Sequence, residues 1–153
     1  MLALSVPEDG VKLFMQKLLK EDVFDLFEVR TVVISTFVRF EIAEEKQKLE
    51  NEDPKRQICH WGKIRPFVFS ILKGQKKPDY IKTVFSFDTS KTCEIADGAA
   101  ALFLNMTFDG VKVLITTGMA QKTFSLDKSP EKRWDEYISG FLKDAGIEFE
   151  SQI

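Results

Sequence analysis

The clearest chemical signal in this sequence is a basic stretch that contains no acid. Between positions 55 and 78 lysine and arginine recur, while aspartate and glutamate are absent. Apolar side chains between Phe67 and Leu72 repeat at helical spacing, and Pro66 is typical of a first helical turn. The pattern predicts a helix over residues 66–73, with a kinked turn before it.

Two cations would then lie at an unfavourable place on this helix. Lys63 and Arg65 would stand at the positive end of the helix dipole, and a bound anion would resolve that conflict. Trp61 is placed to stack on a nucleic-acid base. We therefore predict an anion-binding or nucleic-acid-binding site, which would comprise Trp61, Lys63, Arg65, Lys73, Lys76 and Lys77.

Simpler interpretations of the same residues remain open. The acidic segment at residues 44–53 would neutralise the basic stretch if it folded back onto it, and water screens most surface charge. Trp61 stands beside phenylalanine and isoleucine, which is typical of a core position.

The cysteines and the single histidine do not form a recognisable reactive site. Adjacent residues such as Cys59 and His60 point in different directions on a helix or strand, so they are not expected to touch. With Cys93 they would still lack a fourth zinc ligand and the usual Cys-x-x-Cys spacing. Phosphate-binding glycine loops and hydrolase motifs are also absent. The sequence predicts no metal, no cofactor and no catalytic residue.

The strongest secondary-structure signal in the sequence is a β-hairpin, which belongs to the scaffold that would position the basic stretch. Apolar and polar residues alternate on both sides of Asp109-Gly110, which is a strong hairpin signal. Gly118 suggests a second reversal into a strand at residues 122–126, so a three-stranded meander is predicted. Its buried face would contain Leu102, Met106, Val113 and Ile115.

Other periodic segments supply more strands and the helices that cover them. Strands are predicted at residues 26–35, 37–43 and 79–88, with residues 2–4 as a candidate for a short one. Further helices are predicted at residues 8–20 and from Ser129 to Ala145. The fold class is α+β, with a mainly antiparallel sheet of about six strands covered by three helices. A single domain would span residues 1–153, with an acidic loop or linker near residues 43–54.

The bulk composition agrees with a globular cytoplasmic protein. The chain has 153 residues, of which 44% are hydrophobic and 30% charged, and its net charge is −2. Two cysteines in a chain of this size favour a reducing compartment. A signal peptide is not expected, because the apolar start of the sequence is short and is followed by Glu8 and Asp9. A membrane partner is not expected either, because no apolar run approaches about 18 residues.

The sequence also resembles a known family. The similarity is carried by FDLFEV followed by STF, by WGKIRPFVFSILKG, by ALFLNMTF with the following DG, by TTG with KTFSLDKS, and by WDE. These segments are similar to an uncharacterised family of clostridial Firmicutes that is described as a domain of unknown function. The resemblance covers nearly the whole chain and implies a small, cytoplasmic, bacterial protein, without a reaction or a cofactor.

Three functions are compatible with these observations. The sequence favours a non-catalytic binding domain with a protein partner or a second copy of itself. The first alternative is binding of nucleic acid or a phosphate ligand through residues 55–77. The second is a carrier or enzyme for a small apolar ligand, since a phenylalanine-rich sheet under helices can enclose a cavity.

Overall fold

Alternating apolar residues form one antiparallel sheet in the computed structural model, which describes residues 1–43, 59–74 and 77–152. The strands are β1 (Ala3–Val6), β2 (Glu28–Ser35), β3 (Arg39–Ala43), β4 (Tyr80–Ser86), β5 (Ala99–Phe108), β6 (Val113–Gln121) and β7 (Glu150–Ser151). They are arranged in the order β3-β2-β4-β5-β6-β1-β7, and each neighbouring pair is antiparallel. The α+β prediction is confirmed, with seven strands in the described residues where about six were predicted.

The predicted hairpin is present between β5 and β6. Phe108 pairs with Val113, and the Asp109 carboxylate accepts hydrogen bonds from the backbone N–H groups of Val111 and Lys112, both at 2.9 Å. Gly110 has φ of +97°, a left-handed conformation that glycine adopts without strain. The sequence signal therefore identified this turn correctly.

The predicted second reversal at Gly118 is wrong. β6 continues through Gly118 to Gln121, and residues 122–126 are not a strand. Gly118 pairs with Phe103 across the sheet, and a Cβ at Gly118 would lie 3.7 Å from the Phe103 side chain. The glycine therefore lies under an aromatic neighbour within a strand, a role that glycine also takes in sheets. β1 occupies the other side of β6, with Leu4 paired to Ile115.

The helices in the described residues are α1 (Val11–Leu19), α2 (Trp61–Leu72), α3 (Thr92–Ile95) and α4 (Ser129–Asp144), with a 3-10 turn at Glu8–Gly10. Three were predicted, and the four-residue α3 is the addition. None of these helices combines the length and the apolar character needed to cross a lipid bilayer.

α2 begins earlier than predicted. Its first residue is Trp61, so Pro66 lies inside the helix instead of at its start. The Trp61 backbone N–H donates a 2.9 Å hydrogen bond to the Phe27 carbonyl, which fixes the first turn before the proline is reached. This tertiary anchor outweighs the local preference of proline for a helix start. The predicted acidic loop lies outside the described residues, apart from Ala43 at the end of β3.

The core lies between the sheet and the helices. The predicted core residues Leu102, Met106, Val113 and Ile115 are all buried. Aromatic rings fill the space beneath α2. Phe85 on β4 is stacked with Phe27 at a centroid distance of 6.0 Å and lies 5.1 Å from the Trp61 ring.

The position of Phe85 at the centre of this ring cluster leads to a stability prediction. Phe85→Ala should lower the free energy of unfolding by about 3–5 kcal/mol, because it leaves a cavity among rings that cannot collapse fully. Urea unfolding measures the change. Phe124→Ala is the matched control, since Phe124 is fully exposed and its removal should change stability by less than about 0.5 kcal/mol. Similar losses in both variants would contradict this account of the core.

Candidate functional site

The predicted site residues surround α2, and Trp61 is the one that lies deepest. Its side chain is fully buried, and the indole Nε1–H donates a 2.9 Å hydrogen bond to the Leu18 carbonyl at the end of α1. The ring therefore has no open face on which a base could stack. Of the two interpretations of Trp61, the structure agrees with the core position.

Arg65 lies in the second turn of α2 and is held by a carboxylate of the chain itself. Its Nε and second terminal nitrogen donate to the two oxygens of Asp25 at 2.8 and 2.9 Å, a bidentate geometry. This hydrogen bonding, together with the negative charges of Asp25 and Asp22, raises the pKa of the Arg65 guanidinium. The guanidinium also reaches the Lys20 carbonyl, at 3.4 Å, where α1 ends.

Asp25 also lies beside the first turn of α2. A Cβ at Gly62 would come within 3.1 Å of an Asp25 carboxylate oxygen. An anion is therefore present near the start of the helix, as the charge argument required, but it is the Asp25 side chain. The alternative prediction was that residues 44–53 fold back onto the basic stretch, and this segment lies outside the described residues.

The remaining site residues are dispersed. Lys63 and Lys73 are exposed on the outer side of α2. Lys77 is exposed as well, and its Nζ lies 5.5 Å from the centre of the Phe108 ring, at the end of β5. Lys76 lies outside the described residues. Among the described residues, neither Lys63 nor Lys73 forms an ion pair.

Sequence reasoning missed Phe67, which stands between these lysines. The side chain is 67% exposed although it belongs to the apolar repeat that predicted the helix. The exposed residues of α2, together with Lys73 directly after its end, form what we call the α2 outer face: Lys63, Pro66, Phe67, Ser70 and Lys73. The opposite side carries the buried Trp61 and Val68. Each residue of an α-helix is rotated by about 100° from the one before it. If Trp61 is taken as buried at the first position of the helix, this rotation places Phe67 on the outer side.

Cys59 and His60 directly precede α2 in the chain, and their backbone is paired with the start of β2. The Val29 N–H donates to the Cys59 carbonyl at 2.8 Å, and His60 forms a β-bridge with Glu28. The buried Glu28 carboxylate accepts hydrogen bonds from the backbone N–H of Thr89 at 2.9 Å and from its hydroxyl. These polar residues therefore connect the ends of structural elements. Within the described part of the chain, no three acidic, histidine or cysteine side chains are grouped as a metal site would require.

The space beneath α1 bears on the proposal of an apolar ligand. A cavity of about 10 Å³ lies between Phe14 and Leu18 of α1 and Met106 and Phe108 of β5. That volume corresponds to about one water molecule, whereas ligand sites usually occupy about 300–1,000 Å³. This cavity is therefore too small to hold a small-molecule ligand.

The bidentate geometry predicts strong coupling between Arg65 and Asp25. A double-mutant cycle with Arg65→Ala and Asp25→Ala should give a coupling energy of about 1–2 kcal/mol in urea unfolding. Lys17 of α1 and Glu21, two residues after the end of α1, are 4.0 Å apart and provide the matched control, with an expected coupling of about 0.3–0.5 kcal/mol. Equal coupling in the two cycles would show that Arg65 does not hold α2 in place.

Comparison with known proteins assigns the sequence to a family. A model of a family of unknown function, DUF5721, matches residues 17–150, which include all of α2 as well as Asp25. No curated protein matches the chain, and no solved structure matches it. Because the family model covers most of the sequence, the chain belongs to this family of unknown function.

Proposed function

We propose that this chain is a non-catalytic binding domain of the bacterial cytoplasm, and that the α2 outer face is its contact surface for single-stranded nucleic acid. The observation that carries the proposal is the exposure of Phe67 between Lys63 and Lys73, on a helix whose other side is buried. The two free cysteines and the resemblance to a clostridial bacterial family support the cytoplasmic location.

Aromatic side chains among lysines are typical of surfaces that bind single strands. A base stacks on the aromatic ring while neighbouring lysines attract the phosphates, and this mode depends little on sequence. At 1.5 Å per residue, Lys63 and Lys73 lie about 15 Å apart along the helix, with Phe67 between them. A flexible strand can follow this length while one of its bases contacts Phe67.

The surface is also rigid, which favours binding. Trp61 fixes the first turn of α2, and the Arg65–Asp25 ion pair fixes the second. A ligand would therefore not have to order the helix, and the loss of conformational entropy on binding would be confined to a few side chains. The cavity beneath α1 is too small for an apolar ligand, so the alternative of an apolar-ligand carrier would depend on the open surface pocket of about 610 Å³ beside Pro7 and residues 146–150.

Fluorescence anisotropy with a labelled single-stranded oligonucleotide tests the proposal. The wild-type protein should bind at low salt and bind progressively more weakly as salt rises. Phe67→Ala should weaken binding about 5- to 150-fold, which corresponds to the loss of about 1–3 kcal/mol of stacking. A variant with both Lys63→Glu and Lys73→Glu should bind more weakly still and depend less on salt.

The matched control for Phe67→Ala is Phe124→Ala, which removes another exposed phenylalanine from a different part of the surface. It should bind as the wild-type protein does. The proposal fails if the wild-type protein does not bind at low salt, if its affinity is indifferent to salt, or if the two phenylalanine variants bind equally well.

A further inference from the structure

A second exposed apolar surface lies on the loop between β6 and α4, which we call the Phe124 loop (residues 122–128). Phe124 is 87% exposed and Leu126 is 81% exposed. Residues 122–128 are all exposed. Two large apolar side chains at the tip of one loop are unusual on a soluble surface, where such residues normally occur singly.

The loop is held open by hydrogen bonds of its own. The Gln121 side chain donates to the Ser125 carbonyl at 3.5 Å and accepts from the Ser125 N–H at 3.3 Å. The Asp127 N–H donates to the Ser125 hydroxyl at 3.1 Å. These bonds satisfy the N–H and carbonyl of Ser125 and the N–H of Asp127, while the side chains of Phe124 and Leu126 are exposed.

Both ends of the loop are attached to regular structure. The Lys122 N–H donates to the Gly98 carbonyl at 3.0 Å. At the other end the Asp127 carboxylate accepts a 2.9 Å hydrogen bond from the Ser129 N–H, and this bond lowers the pKa of Asp127. The Asp127 carboxylate is thus attached to the first residue of α4. Because both ends of the loop are held in this way, a binding partner would not have to order its backbone.

Basic residues flank the two apolar side chains in the sequence. Lys122 precedes them and Lys128 follows them, and Lys132 and Arg133 are exposed on the first two turns of α4. Two carboxylates lie in the same stretch and keep their charges, so the four cations leave a net positive charge between residues 122 and 133. Asp127 accepts a hydrogen bond from the Ser129 N–H, and Glu131 is paired with the Met1 ammonium and lies 3.9 Å from Lys128.

We propose that the Phe124 loop binds the surface of an anionic lipid bilayer, with Phe124 and Leu126 entering the interface and the surrounding lysines facing the headgroups. Apolar insertion combined with basic residues is the usual two-part signal for reversible attachment to membranes. A stable protein–protein contact normally buries about 800 Å² on each partner, more than two side chains on a narrow loop can provide. The inference is independent of the proposed function, because α2 and this loop are separate surfaces.

Co-sedimentation with lipid vesicles tests the inference. The wild-type protein should sediment with vesicles of equal parts phosphatidylserine and phosphatidylcholine at low salt, and release as salt rises. Binding to pure phosphatidylcholine should be at least about tenfold weaker. A double variant, Phe124→Ala with Leu126→Ala, should reduce binding to the mixed vesicles by about tenfold or more. Lys122→Glu should weaken binding to the mixed vesicles but leave binding to pure phosphatidylcholine vesicles unchanged.

Val111→Ala is the control for the loss of an exposed apolar side chain elsewhere, since Val111 is 54% exposed at the turn between β5 and β6, and its vesicle binding should equal that of the wild-type protein. Circular dichroism and the urea midpoint verify that each variant is folded. The inference is wrong if the wild-type protein stays in the supernatant with the mixed vesicles, or if both lipid compositions bind it equally. It is also wrong if the folded double variant sediments as the wild-type protein does.

Discussion

The position of Trp61 is the constraint on which the arrangement around α2 depends. Its backbone N–H bonds to the Phe27 carbonyl just before β2, its indole bonds to the carbonyl of Leu18 on α1, and its ring packs on Phe85 of β4. One residue thus links two helices and the sheet. Because a helix turns by about 100° per residue, fixing the first side chain inside determines which later residues face outward. The exposure of Phe67 follows from that geometry.

Most of the sheet was predictable from the sequence, because alternation and turn chemistry are local signals. Asp109-Gly110 identified its hairpin, and the four core residues assigned to the meander are buried. The pairing of β1 with β6 was not predictable in this way, since the two strands are more than 100 residues apart and no local sequence signal identifies one as the partner of the other. Gly118 was misinterpreted because glycine serves both in turns and beneath aromatic residues in strands.

The sequence identified some features of the candidate site, and those that it could not show have a physical reason. The absence of acids between positions 55 and 78 indicated a cationic segment correctly, and Lys63 and Lys73 are exposed. The pairing of Arg65 could not be read from the sequence, because its carboxylate partner, Asp25, lies 40 residues earlier in the chain. Composition reveals how many charges a segment carries. Only the fold reveals which of them are neutralised at close range.

That distinction also explains how a chain with a net charge of −2 can present cationic surfaces. Several carboxylates are engaged within the fold: Asp25 with Arg65, Glu28 with Thr89, and Asp127 with the start of α4. The opposite charges of Asp25 and Arg65 largely cancel at a distance, whereas Glu28 and Asp127 keep their charges, whose fields salt water screens over about 8 Å. Exposed lysines beside Phe67 or Phe124 are then the charges that an approaching anion meets first. Binding at these surfaces therefore depends on local charge, and the overall net charge is a poor guide to the partner.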